Sequence, residues 1–162
     1  MIIWFTLNDD SITIDTDPEF LLVDLLRKEF GLGGARPGCR RGTCGTCAIL
    51  FNGHVTSSCM LPAFKALGSE IVTIEGFMKT PDFADIERGF QRAGMDPCRF
   101  CAAAKVLVTY DLIQQNSSPR AEDIERAASG VFCRCTSYTS FVDAIRYAAE
   151  ARRKRSNVGR VS

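Results

Sequence analysis

The amino-acid sequence predicts an α+β fold, with a β-rich N-terminal half followed by a half built from four helices. Three observations predict it. Up to residue 76, short runs rich in Ile, Val, Thr, Phe and Trp alternate with Asn, Asp and Gly turn signals. From Thr80 onward the apolar residues recur at helical spacing. Eight cysteines, against one histidine in 162 residues, divide evenly between the two halves.

Ile2 to Leu7 and Ser11 to Thr16 read as a hairpin around Asn8-Asp9-Asp10. Asp17-Pro18 supplies a helix start, with Phe20, Leu21, Leu22, Leu25 and Leu26 as the buried face and Gly31 as the stop. Six of the 13 glycines then fall between Gly31 and Gly45. Cys47 to Phe51 reads as a strand, Asn52-Gly53 as a tight turn, His54 to Ser58 as the returning strand, and Glu70 to Glu75 as a final strand.

Thr80-Pro81 opens the first helix of the second half, with Phe83, Ile86 and Phe90 on one face. A second helix runs from about Cys101 to Gln115, and a third from Ser118-Pro119 to Gly130. The fourth starts near Ser140, with Asp143 at the capping-box position. The domains expected are therefore 1–76, 80–155, and a basic tail over 156–162, joined by a linker near Gly76 to Thr80. The segment Ala151 to Arg160, with five basic residues and no acid, reads as a solvated, frayed end. Trp4 and the phenylalanines are expected in the core.

Composition excludes several functions. Hydrophobic residues are 46% and charged residues 24% of the chain, which rules out disorder. The net charge of +1 gives no electrostatic basis for binding nucleic acid or an acidic membrane. No apolar run approaches the roughly 20 residues that span a bilayer. Met1 runs straight into a strand with no secretory leader, so a cytoplasmic location is expected. In a reducing compartment eight thiols point to metal binding or redox chemistry rather than disulfides. Thiolates select zinc, Cu(I) or iron–sulfur clusters.

Cys39, Cys44, Cys47 and Cys59 have the spacing C-x4-C-x2-C-x11-C. Four thiolates suit a [2Fe–2S] cluster, two per iron, and this spacing is that of plant-type ferredoxins. The first domain is then expected to be a ferredoxin-like β-grasp. Gly38, Gly42 and Gly45 would let the loop turn, and the amides of Arg40, Arg41, Thr43 and Thr46 would point at sulfur. Cys98, Cys101, Cys133 and Cys135 form the second set, C-x2-C-x31-C-x-C. By spacing alone a four-thiolate zinc site stays open for this set, although Cys133-Arg134-Cys135 is tighter than the usual zinc knuckle. His54 is weighed as a Rieske-type ligand, but those centres need two histidines.

With both sets in view, the chain resembles the small iron–sulfur subunit of the molybdenum hydroxylases, the xanthine dehydrogenase and aldehyde oxidoreductase family. Gly38 to Leu50 looks like the family's first cluster loop, and Ser58-Cys59 like its fourth ligand. Val131-Phe-Cys-Arg-Cys-Thr-Ser-Tyr138 is similar to its Cys-Arg-Cys-Thr-Gly-Tyr signature. The resemblance runs from about Ile2 to Ala149 and implies two [2Fe–2S] clusters, the second held in a four-helix bundle. It also implies a large molybdopterin-binding partner and an FAD-binding subunit, with electrons passing through the second cluster to the first. Cys98, Cys101, Cys133 and Cys135 match the ligands of the former, and Cys39, Cys44, Cys47 and Cys59 those of the latter.

The chain departs from the family pattern in places. The family's Gln-Cys-Gly-Phe-Cys-Thr-Pro-Gly is here Pro97-Cys98-Arg99-Phe100-Cys101-Ala102-Ala103-Ala104. The glutamine that contacts the pterin is replaced by Pro97, Arg99 adds a cation, and Ser137 replaces a glycine. No nucleophile with a base and no phosphate-binding loop is present, so no catalytic residue is expected in this chain. The expected role is an electron-transfer subunit of an oxidoreductase complex; a free-standing two-cluster carrier is the alternative. The first cluster is expected near solvent, the second buried at the molybdenum-subunit interface.

Overall fold

The computed structural model describes residues 1–158. Among them lie a five-stranded sheet and six α-helices. β1 (Ile2–Leu7) and β2 (Asp10–Asp15) form the hairpin, with Asn8 and Asp9 at φ 50° and 73° in its two-residue turn. α1 (Leu22–Lys28) follows, then β3 (Ala48–Phe51), β4 (His54–Ser57) and β5 (Glu70–Val72). The sheet order is β2-β1-β5-β3-β4, antiparallel except for the parallel β1–β5 pair.

Burial alternates along β1. Ile3, Phe5 and Leu7 point into a core with Leu22, Leu25 and Leu26 of α1, so Ile2 and Trp4 point out. Trp4 is therefore 60% exposed rather than in the core, its indole lying over Gly68. The phenylalanines divide: Phe5, Phe77, Phe90 and Phe141 are buried, whereas Phe64, Phe100 and Phe132 are exposed.

β3 joins the two halves. Ile49 faces the α1 core, and Leu50, on the opposite face, packs with Phe77, Ile86, Leu107 and Phe141 of the helical half. A strand covered on both faces reads as a continuous apolar run, which Ala48-Ile-Leu-Phe51 is.

Several boundaries differ from expectation. α1 begins at Leu22, because Asp17-Pro18 forms a turn closed by Phe20 N–H to Asp17 O. The final strand stops at Val72, and a one-turn helix α2 (Ile74–Phe77) occupies the expected linker. Then come α3 (Pro81–Arg92), α4 (Ala102–Gln115), α5 (Ala121–Ser129) and α6 (Tyr138–Val158). Thr80 caps α3, accepting the Phe83 N–H at 3.3 Å. α6 is capped by Ser137, whose Oγ accepts the Ser140 N–H at 3.0 Å; Asp143 pairs instead with Arg146.

α3 and α6 touch closely at Gly89, where a Cβ would lie 2.4 Å from Ala148 N. The segment from Ala151 is not frayed. Through Val158 it continues α6, with Arg152 on Asp82 at 2.9 Å and Arg155 on both Asp82 and the fully buried Asp85. Gly159 and Arg160 lie outside the described residues. No helix among those described is long and apolar enough to cross a membrane.

Candidate metal centres

The first four cysteines come from one loop and one short helical turn. Cys39, Cys44 and Cys47 lie between α1 and β3, and Cys59 lies in the 3₁₀ turn Ser58–Met60 that follows β4. Asp24 on α1 anchors the loop through a two-pronged pair with Arg40, at 2.7 and 2.8 Å. This holds Arg40 at φ 55° and places its neighbour Cys39 under a row of amides. Arg41, Thr43 and Cys44 donate their N–H groups to Cys39 Sγ at 3.4, 3.3 and 3.4 Å. Of the four amides expected from sequence, Arg41 and Thr43 therefore reach this sulfur. Cys44 joins them, while Thr46 acts through its hydroxyl, 3.1 Å from Cys44 Sγ. Gly42 and Gly45 sit at φ 74° and 72°, as a loop wrapped around sulfur requires.

The thiols associate in pairs. The side chain of Cys39 neighbours that of Cys44, and the side chain of Cys47 that of Cys59. Hydrogen bonds from Thr43 and from the Arg41 and Cys44 amides bring the Cys39 thiol down to about 5. Burial, then the contact with Cys47, pushes Cys59 up to about 11.

The second set is gathered from two segments of the helical half. Cys98 and Cys101 precede α4, while Cys133 and Cys135 lie between α5 and α6. Cys101 Sγ and Cys133 Sγ are 3.3 Å apart, and the Cys98 side chain neighbours that of Cys135. Burial, then Cys133, raises Cys101 to about 12. Burial also acts to raise Cys133, but hydrogen bonds from the Thr136 hydroxyl and amide outweigh it and hold the thiol at about 6. The Phe100 and Cys101 amides lower Cys98, and the neighbouring Cys98 side chain raises Cys135.

Among the described residues, no three His, Cys, Asp or Glu side chains converge as ligands of a single ion would. Each set forms two thiol pairs instead. Two pairs are what a cluster with two irons takes, two thiolates on each; a mononuclear zinc site asks for four sulfurs around one point. The donors therefore fit [2Fe–2S] clusters. His54 belongs to neither set: it stands exposed at the head of β4, 3.3 Å from Asp111.

Comparison with known proteins agrees. Residues 5–70 match the family described as "2Fe-2S iron-sulfur cluster binding domain", and residues 73–146 the "[2Fe-2S] binding domain" family. The nicotinate dehydrogenase small FeS subunit of Eubacterium barkeri is 38% identical over 144 residues, covering 89% of this chain and 92% of that one. The chain belongs to the small iron–sulfur subunits of the molybdenum hydroxylase family.

This iron–sulfur subunit is also 34% identical to the nicotine 6-hydroxylase small subunit of Paenarthrobacter nicotinovorans, over 82% of its own length and 80% of the relative's. A solved chain of quinoline 2-oxidoreductase from Pseudomonas putida 86 superposes with a TM-score of 0.85 at 34% identity, covering 94% of this chain and 96% of that one. Such subunits are components of oxidoreductase complexes.

Around the second set the subunit is open. Cys135 is exposed, and so are three large apolar residues near these cysteines in sequence, Phe132 (81% exposed), Phe100 and Tyr138. Within the chain alone, then, the second set is the more accessible. Arg99 is exposed, and the cation felt at Cys101 is Lys105. Sequence reasoning missed Lys105 and Thr136. The available signal was spacing: Lys105 is one helical turn after Cys101, hence on the same face of α4. Ser137, noted only as a departure, has its role in capping α6.

Proposed function

We propose that the subunit relays electrons between two [2Fe–2S] clusters, from a molybdopterin-containing subunit towards FAD in another subunit or a different acceptor. Cys98, Cys101, Cys133 and Cys135 would hold the cluster on the molybdopterin side, and Cys39, Cys44, Cys47 and Cys59 the other. Each cluster, when bound, supplies a one-electron carrier. The observation that carries this reading is the joining of the two cysteine loops. Phe132 N–H, adjacent to Cys133, donates to Cys44 O at 2.9 Å, and Gly45 lies directly against Gly130 and Val131. Residues of the two sets are thus linked by one hydrogen bond and one peptide unit.

The chain's own part is to fix that spacing, present thiolates in pairs, and surround Cys39, Cys98 and Cys133 with N–H and O–H donors that favour negative charge on sulfur. On this reading the first domain, residues 1–76, is a ferredoxin-like β-grasp, supported by the mixed sheet packed on α1. Residues 80–155 form a four-helix cluster domain. The exposure of Phe100, Phe132 and Tyr138 supports docking of the large subunit on the second set. Eight free thiols support a reducing, cytoplasmic setting.

The test is iron and acid-labile sulfide analysis with electron paramagnetic resonance of the dithionite-reduced subunit. Four irons, four sulfides and two distinct rhombic signals are expected; zinc without sulfide overturns the reading. Cys44→Ser should alter one signal and spare the other, and loss of both from a folded variant would refute the two-site assignment. Co-purification from the native source separates a complex-bound subunit from a free-standing carrier.

A further inference from the structure

Lys105 lies inside α4 and is only 2% exposed, among the largest fully buried side chains of the described residues. Its Nζ donates to Thr136 Oγ1 at 2.6 Å and sits 4.1 Å from the centroid of the buried Phe141 ring. Among the described residues no carboxylate forms an ion pair with it. A lysine is almost never buried so completely without a partner charge, because an unpaired buried ammonium is strongly destabilising. One hydroxyl and one ring face offset only part of that cost.

The missing negative charge has one source nearby. Thr136 Oγ1 is also 3.3 Å from Cys133 Sγ, and Cys133 Sγ is 3.3 Å from Cys101 Sγ. The ammonium is therefore one hydroxyl away from the second cysteine set, and its charge pulls the Cys101 thiol down against burial. Two ferric irons, two sulfides and four thiolates carry net negative charge. Adding one electron turns one ferric iron ferrous and makes the assembly more negative, with no bond broken.

We propose that Lys105 is the buried counter-cation of the second cluster: a positioning residue that selects for an anionic occupant and raises the cluster's reduction potential relative to a neutral residue at position 105. This rests on the assignment of the second cysteine set as a cluster site. The ammonium acts in two ways. Through Thr136 it orients a donor towards Cys133, and through space it favours the reduced state over the oxidised one. Attraction between opposite charges is strong here because the ammonium and the Cys101 sulfur lie away from water. The first set lacks an equivalent. Arg40, in its loop, is half exposed and already paired with Asp24, so the device distinguishes the two centres.

The experiment is a redox titration of the whole subunit followed by electron paramagnetic resonance, comparing wild type with Lys105→Met and Lys105→Gln. Both variants keep an unbranched chain without the charge. The ratio of reduced to oxidised second cluster at a fixed potential should fall about tenfold or more, ~59 mV for one electron. The first signal should stay in place and serve as the internal reference. Thr136→Val, which keeps the charge and removes the hydroxyl, should give a smaller fall. An unmoved second potential in neutral variants that bind four irons overturns the proposal. Wild type lacking a second signal would instead overturn the cluster assignment itself, so the two failures are distinct.

Discussion

The main-chain carbonyl of Cys44 accepts the amide of Phe132 at 2.9 Å, so a residue of the first cysteine set is bonded to the immediate neighbour of a residue of the second. Next to this bond the Gly45 Cα faces Gly130, and a Cβ there would lie 2.1 Å from Gly130 O. The two halves therefore meet backbone to backbone at the point where their cysteine loops converge. Side chains would hold the loops apart. Gly45 also has φ 72°, so both conformation and contact require glycine.

Gly45→Ala should accordingly cost about 1–3 kcal/mol through strain and the forced separation of the loops. The measurement is a denaturant melt of the iron-loaded subunit, together with the magnetic interaction between its two signals. Loss of stability with weakened interaction is expected; a neutral effect would mean the loops are not tightly joined.

The thiols of the iron-free protein should react in a fixed order. At pH 7 Cys39, held at about 5, and Cys133, held at about 6, are thiolates. Cys59 and Cys101, at about 11 and about 12, keep their protons. Thiolates are the nucleophiles, so brief iodoacetamide treatment under anaerobic conditions should label Cys39 and Cys133 before Cys59 and Cys101. Peptide mass spectrometry reads the order. Labelling of Cys39 should fade only as the pH falls towards about 5.

Asp24→Asn should loosen the first loop. The hydrogen bond from Arg40, opposed by burial, holds the Asp24 pKa below its ordinary value of 3.8. A carboxylate with a depressed folded-state pKa contributes stability that is present above the unfolded value and lost as pH falls through the folded one. The difference in stability between wild type and Asp24→Asn, about 1 kcal/mol at pH 7, should therefore shrink below about pH 4. Urea melts across pH 3–7 measure it, with about that window set by the carboxylate.

Arg155→Ala should destabilise the helical half by about 1.5–3 kcal/mol, because it removes one partner of the fully buried Asp85 and leaves only the i,i+3 pair with Arg88. Asp85→Asn in the same background should recover part of the loss, since the uncompensated buried charge is gone. Thermal unfolding of wild type and the two variants decides.

Much of this molecule could be read without coordinates, because the governing signals are local. Alternation fixes β1, Asn52-Gly53 fixes the β3–β4 turn, and Thr80-Pro81 fixes the start of α3. Cysteine spacing separates the two sets because close ligands in a loop must lie within bonding reach whatever the rest of the chain does. Local signals fail where a distant segment competes. The Glu70–Glu75 strand ends early because Thr73 N–H bonds to Asn8 Oδ1, turning the chain into α2. Trp4 is exposed because Ile3 and Phe5 take the inward positions and the period of a strand leaves it none.

By itself, then, the sequence determined the α+β character, the two sets of four cysteines and their match to a two-cluster family. Each is a property of composition and short-range spacing. Only the tertiary structure decided which thiols pair, that Cys44 and Phe132 join the loops, that Arg155 reaches Asp85, and that Lys105 rather than Arg99 is the cation buried beside the second set. Those outcomes depend on which helix faces pack together, and on whether a charge is left in water or carried into the core. No local pattern encodes that choice. The packing of α4 between Thr136 and the Phe141 face of α6 makes it.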